Sequence, residues 1–120
     1  MRMWMVNPRF TCNQHLLGEH VELHMLVGHL KRRRSIKGYI KSNAVEPLAI
    51  GQRHGQLVVE MLLRGMNHKS PIGSRELDHL DTEDIYAKVD RKEAAELLWS
   101  RCLECRKRII AHGLCRGQKG

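Results

Sequence analysis

Aromatic side chains are scarce in this chain: two Trp, two Tyr and one Phe make up 4% of it. With so few large rings, a core must be filled by aliphatic residues and Met. Long apolar runs are missing as well. None approaches the roughly 20 residues that span a bilayer, which excludes an integral helical membrane protein. Met3-Trp4-Met5-Val6 is too short for a signal-peptide core, and Asn7-Pro8-Arg9 follows it. The chain is therefore expected in the cytoplasm, with its four cysteines reduced. Strand-like alternation and internal repeats are absent too. Acidic residues are the minority, 13 against 21 Lys and Arg, for a net charge of +8 and a pI near 9.7. That balance points to a polyanionic partner, most commonly nucleic acid.

The apolar periodicity predicts an all-α fold: a single compact domain over 1–120, with three main helices and an extended N-terminal segment. Thr11-x-x-Gln14 reads as a capping box that opens a helix over about 13–30. Leu16, Leu23, Val27 and Leu30 form its apolar stripe, and Gly18 and Gly28 weaken it locally. Ser35 to Asn43 is expected as an exposed connection. Pro47 suits the first turn of a second helix over about 47–64, with Ile50, Leu57, Met61 and Leu62 facing inward and Gly65 as its C-terminal cap. Residues 67–88 read as loop, with a short helical turn near Thr82 to Ala87. Asp90-x-x-Glu93 opens a third helix over about 91–112. Ala94, Leu97, Leu98, Cys102, Leu103, Ile109 and Ile110 form its stripe, and a frayed tail follows at 116–120.

Charge is segregated. Lys31, Arg32, Arg33, Arg34, Lys37 and Lys41 form one basic block, and Arg101, Arg106, Lys107, Arg108, Arg116 and Lys119 a second. Both favour phosphate contact. Glu76, Asp78, Asp81, Glu83 and Asp84 form an acidic stretch that a DNA-facing surface should exclude.

The chemistry concentrates in the first 26 residues. Helical neighbours lie three and four residues apart, so His15, Glu19 and Glu22 share one face near the start of the first helix. A short segment upstream is the amine of Met1. An α-amine titrates near about 7.7–8.0, against about 10.4 for lysine, so a useful fraction is a free nucleophile at neutral pH. Arg2 is too bulky for efficient removal of an initiator Met, and Met1 is expected to stay. An amine and a carboxylate brought together can work on the anomeric carbon of a sugar.

Gln14-His15 with Glu22 seven residues after the His resembles the first helix of the pyrimidine-dimer DNA glycosylases, the phage endonuclease V family. A second segment, Arg53 to Pro71, is similar to that family's second long helix and the Arg-Gly-aromatic-Asn turn ending it, with Met66 in place of the aromatic. The two segments cover about a third of the chain. The resemblance implies a repair glycosylase with abasic-site lyase activity on cyclobutane pyrimidine dimers. It places the nucleophilic amine at Met1 and the catalytic carboxylate at Glu22. Arg2, Gln14 and His15 would support the site, and Arg32, Arg33 and Arg34 would bind DNA. Glu19 would be a structural or supporting acid. Val21 and Met25 stand where the family carries basic residues beside the Glu, and the block from Lys31 can compensate. The implied partner is double-stranded DNA containing a lesion, bound by a monomer associated with the nucleoid, with no cofactor.

Other readings stay open. Trp4, with Met3 or Met5, can stack on bases, wedge a duplex or be buried. His20-x-x-x-His24 has the zincin spacing, but Val21 replaces the required Glu. Cys102-x-x-Cys105 with His112 and Cys115 offers four zinc ligands, against the commoner use of buried Cys as a small hydrophobe. A non-catalytic basic nucleic-acid-binding domain and a small zinc-stabilised adaptor are the alternatives to the enzyme.

Overall fold

The computed structural model describes residues 2–68, 70–73 and 76–114, and these are all-helical and without strands. The central element is α1, Asn13–Lys31, which buries Leu16, Leu23, Leu26, Val27 and Leu30. The spacing of these residues puts them on one stripe, and their burial holds the helix through Gly18 and Gly28. The expected capping box does not form. Cys12 is the cap residue and makes no side-chain cap bond. The Thr11 hydroxyl instead donates to the Pro8 carbonyl at 2.7 Å, closing a 3-10 turn over Pro8–Phe10.

The segment after α1 is not a plain exposed connection. Ile36, Ala44 and Val45 are buried, and this anchoring folds a short helix, α2, Lys37–Lys41, between them. A 3-10 turn, Pro47–Ala49, leads into α3, Ile50–Leu63. Gly65 ends it with φ +80, a left-handed conformation that favours glycine. The Met66 N–H then closes on the Met61 carbonyl at 2.9 Å. Ile50, Leu57 and Met61 are buried as expected. Leu62 is 57% exposed, because one residue past Met61 is about 100° round the helix.

The short helix α4, Thr82–Ile85, lies in the otherwise irregular 67–88 stretch. Asp90 caps α5, Arg91–Arg101, by accepting the Glu93 N–H at 3.0 Å. The third helix is then not continuous. Cys102 is extended (φ −127, ψ 107) and separates α5 from α6, Leu103–Ile109, which runs into a wide π-type turn, Ile110–Leu114. The break rotates the stripe: Ala94 and Leu98 are buried, while Leu103 and Ile110 are exposed.

The extended N-terminal segment is tied to the body. Met3 is buried, its N–H donates to the Ala44 carbonyl at 2.7 Å, and its sulfur accepts the Glu46 N–H. Burial removes Met3 from the candidate wedges.

Candidate active site

Arg53 sets the geometry. It lies on the core-facing stripe of α3 and is only 2% exposed. Its guanidinium grips both Glu19 oxygens, at 2.6 and 2.8 Å, and also donates to the Val6 carbonyl at 2.6 Å. One side chain thus pins α3, α1 and the N-terminal segment together. The segment runs back along α1 from there, and the Arg2 N–H donates to Glu22 Oε2 at 2.9 Å.

A cleft of about 430 Å³ opens at that contact. Arg2, Trp4, Gln14, His15, Gly18, Glu19, Glu22 and Arg101 line it. The Arg2 guanidinium lies 5.4 Å from the centre of the Trp4 ring, and the ring meets His15 edge-on at 5.6 Å between centroids. Glu19 is already neutralised by Arg53, whereas Glu22 enters no ion pair among the described residues. The cleft therefore offers one carboxylate with no ion pair among the described residues, two guanidinium groups and an aromatic wall. Such a set suits an anionic, partly apolar ligand.

Of the residues expected in the site, the cleft gathers Arg2, Gln14, His15 and Glu22; Met1 lies outside the described residues. Arg32, Arg33 and Arg34 are exposed at the far end of α1 and do not line the cleft. Arg33 is held by Asp78 through two hydrogen bonds of 3.0 Å. That bond keeps the Asp78 carboxyl below the usual carboxylate range. Lys37 pairs with Asp84 at 2.8 Å and Asp81 at 2.9 Å, which raises its ammonium pKa. The acidic stretch thus folds onto the basic block instead of turning away from it.

Val21 and Met25 are exposed on either side of Glu22 in the sequence. In the second block, Arg106 donates to the Trp99 carbonyl and Arg108 to the Arg9 carbonyl. Among the described members Arg101 reaches the cleft, and Arg116, Lys119 and the tail expected at 116–120 lie outside the described residues. A larger cleft of about 610 Å³ lies behind the N-terminal segment, but both its acids are paired: Glu46 by Arg91 and the Val89 N–H, and Glu60 by Arg64.

Two groups of metal-capable side chains converge. Cys12, His15, Cys102 and Cys105 bring four ligand atoms within 4.8 Å of one another. The sequence offers Cys102 and Cys105 as a pair to be joined by His112 and Cys115. The pair is completed by Cys12 and His15 from the start of α1, His112 is not in the group, and Cys115 lies outside the described residues. Burial pushes the Cys105 thiol up to about 12. At Cys102 burial acts the same way, but hydrogen bonds from the Cys105 N–H and thiol, the Cys12 thiol and the Glu104 N–H together outweigh it and lower its pKa.

The second group is His20, His24, His54 and His68. Burial, reinforced by the neighbouring imidazoles of His24, His54 and His68, lowers His20 to about 4, so its ring is neutral at pH 7. The zincin spacing of His20 and His24 is therefore part of an all-histidine cluster completed from α3 and the loop after it.

Sequence reasoning missed Arg53, Cys12, His54 and His68. The signals were present. An Arg at 53 interrupts an apolar stripe, which demands a buried partner. Cys12-x-x-His15 repeats the two-residue gap of Cys102-x-x-Cys105.

The family model described as pyrimidine dimer DNA glycosylase matches residues 1–73. No curated protein and no solved structure matches the chain. The matched region contains α1, α3 and the Glu22 side of the cleft. Arg101, Cys102 and Cys105 come from outside it.

Proposed function

The chain belongs to the pyrimidine dimer DNA glycosylase family, and from that premise we propose that it cleaves the glycosyl bond of cyclobutane pyrimidine dimers and then cuts the strand as an abasic-site lyase. One observation carries the reading: the Arg2 N–H bond to the Glu22 carboxylate, 2.9 Å long. A single peptide link separates Arg2 from Met1, about 3.8 Å between Cα atoms. The α-amine of Met1 is the nucleophile in this reading, and Glu22 is the catalytic carboxylate.

The unprotonated amine attacks C1′ of the damaged nucleotide. The C1′–N bond to the pyrimidine breaks, and the base leaves with the bonding pair and acquires a proton. Glu22 stabilises the positive charge that develops on the sugar. Ring opening gives an imine between the amine nitrogen and C1′. Glu22 then accepts a 2′ proton, and β-elimination expels the 3′ phosphate. Water hydrolyses the imine and frees the amine. Arg2 and Arg101 attract the flanking phosphates, and Trp4 gives an apolar face to a displaced base.

The test is a nicking assay on duplex DNA carrying a cyclobutane dimer, beside an abasic control, with borohydride added to a parallel sample. Nicking of both substrates and a covalent protein–DNA adduct on reduction are expected. Nicking without an adduct would remove the imine route, and binding without nicking would favour the non-catalytic DNA-binding alternative.

A further inference from the structure

We propose that Cys12, His15, Cys102 and Cys105 hold one zinc ion that staples the start of α1 to the α5–α6 junction. The distances fit a tetrahedron. Zn–S bonds of about 2.3 Å give S···S edges of about 3.8 Å, and a Zn–N bond of about 2.0–2.1 Å gives S···N edges of about 3.5 Å. Here Cys12 Sγ and Cys102 Sγ are 3.8 Å apart, and His15 Nδ1 lies 3.3 Å from Cys12 Sγ and 3.5 Å from Cys105 Sγ. Three sulfurs and one imidazole nitrogen are a donor set that suits zinc.

The backbone is arranged for thiolates as well as thiols. The Cys12 N–H points at Cys105 Sγ at 3.1 Å, and the Cys105 N–H at Cys102 Sγ at 3.4 Å. Such N–H···S bonds orient and stabilise ligating sulfurs. The extended conformation of Cys102, which interrupts an otherwise helical run, presents its sulfur to the group. The two halves of the set are about 90 residues apart, so a metal there constrains a long loop. It also fixes the His15 ring, which lines the cleft beside Trp4. His15 is then a positioning residue for that wall.

A different observation carries a second site. The geometry points to a divalent first-row transition ion held by His20, His24, His54 and His68. The ligand atoms lie within 4.8 Å of one another, and His20 Nε2 and His54 Nε2 face each other at 3.1 Å. His24 Nε2 and His68 Nε2 are buried with no hydrogen-bond partner among the described residues. A buried nitrogen without a partner is costly, and a metal shared by neutral imidazoles resolves both.

Both sites are tested by cobalt(II) titration of the metal-stripped chain, with zinc counted by elemental analysis of the protein as purified. Two equivalents are expected. One gives a thiolate-to-cobalt charge-transfer band in the near ultraviolet with intense tetrahedral d–d bands; the other lacks the charge-transfer band. Cys12→Ser should lose the first and keep the second, and His68→Ala the reverse. Because either variant can misfold, the spectrum of the unaltered chain decides by itself. No charge-transfer band, or iron in place of zinc, overturns the sulfur site. A single equivalent that carries the charge-transfer band overturns the histidine site.

Discussion

Arg53 clamps both oxygens of Glu19, at 2.6 and 2.8 Å, in a pair that is at least 98% withdrawn from solvent. The pair explains why two glutamates one turn apart on α1 have different fates. Glu19 is committed to the fold and Glu22 is left to the cleft. Breaking such a pair from one side leaves an uncompensated buried charge. Glu19→Gln should therefore destabilise the chain by about 3–5 kcal/mol, read from urea unfolding. The double variant Glu19→Leu with Arg53→Met should recover most of that loss. Equal destabilisation in the single and double variants would show that the charge is not the cause. The double variant should still act poorly on DNA, because Val6 loses its anchor.

Glu22→Gln tests the carboxylate. The amide keeps the shape but not the charge. Glycosyl cleavage should fall by orders of magnitude, while dimer-DNA affinity holds or rises as a negative charge near phosphate is removed. Circular dichroism should not change. Near-normal turnover would remove Glu22 from the mechanism.

Acetylating the α-amine removes its nucleophilicity and charge. Nicking and borohydride trapping should both vanish with the melting temperature unmoved. A single Gly placed before Met1 supplies a new amine displaced by up to about 3.6 Å. Since about 1 Å of misplacement can cost a hundredfold in rate, loss there should be strong but incomplete. Activity that survives acetylation would assign the attack to a lysine or to water.

The Arg33–Asp78 pair makes a prediction opposite in sign to the usual one for a basic block. Neutralising Arg32 and Arg34 should flatten the salt dependence of DNA binding, by about 0.9 in log–log slope per lost phosphate contact. Arg33→Ala alone should do little, because Asp78 already holds that charge. Asp78→Asn should release Arg33 and steepen the slope. A slope indifferent to all four changes would place this face away from DNA.

Much of the fold is legible in the sequence because it depends on local periodicity. Leu16, Leu23, Val27 and Leu30 mark α1, Pro47 and Gly65 bracket the second helical stretch, and Asp90 caps α5. The His15, Glu19 and Glu22 spacing likewise puts these groups on one helical face wherever that helix goes. Only the tertiary structure decides what crosses from one element to another. Nothing local says that Arg53 will choose Glu19 over Glu22, or that Asp78 will reach back 45 residues to Arg33. Nor does any local rule predict that Cys102 will leave a helical register its neighbours favour. Buried long-range pairs such as Arg53–Glu19 form because burial makes an unpartnered charge or thiol costly, and the sequence shows that cost without showing the partner. The residue types thus determine an all-helical basic domain with an acid on α1. The packing of α1 against α3 and of α6 against the start of α1 determines which acid is free and which thiols meet.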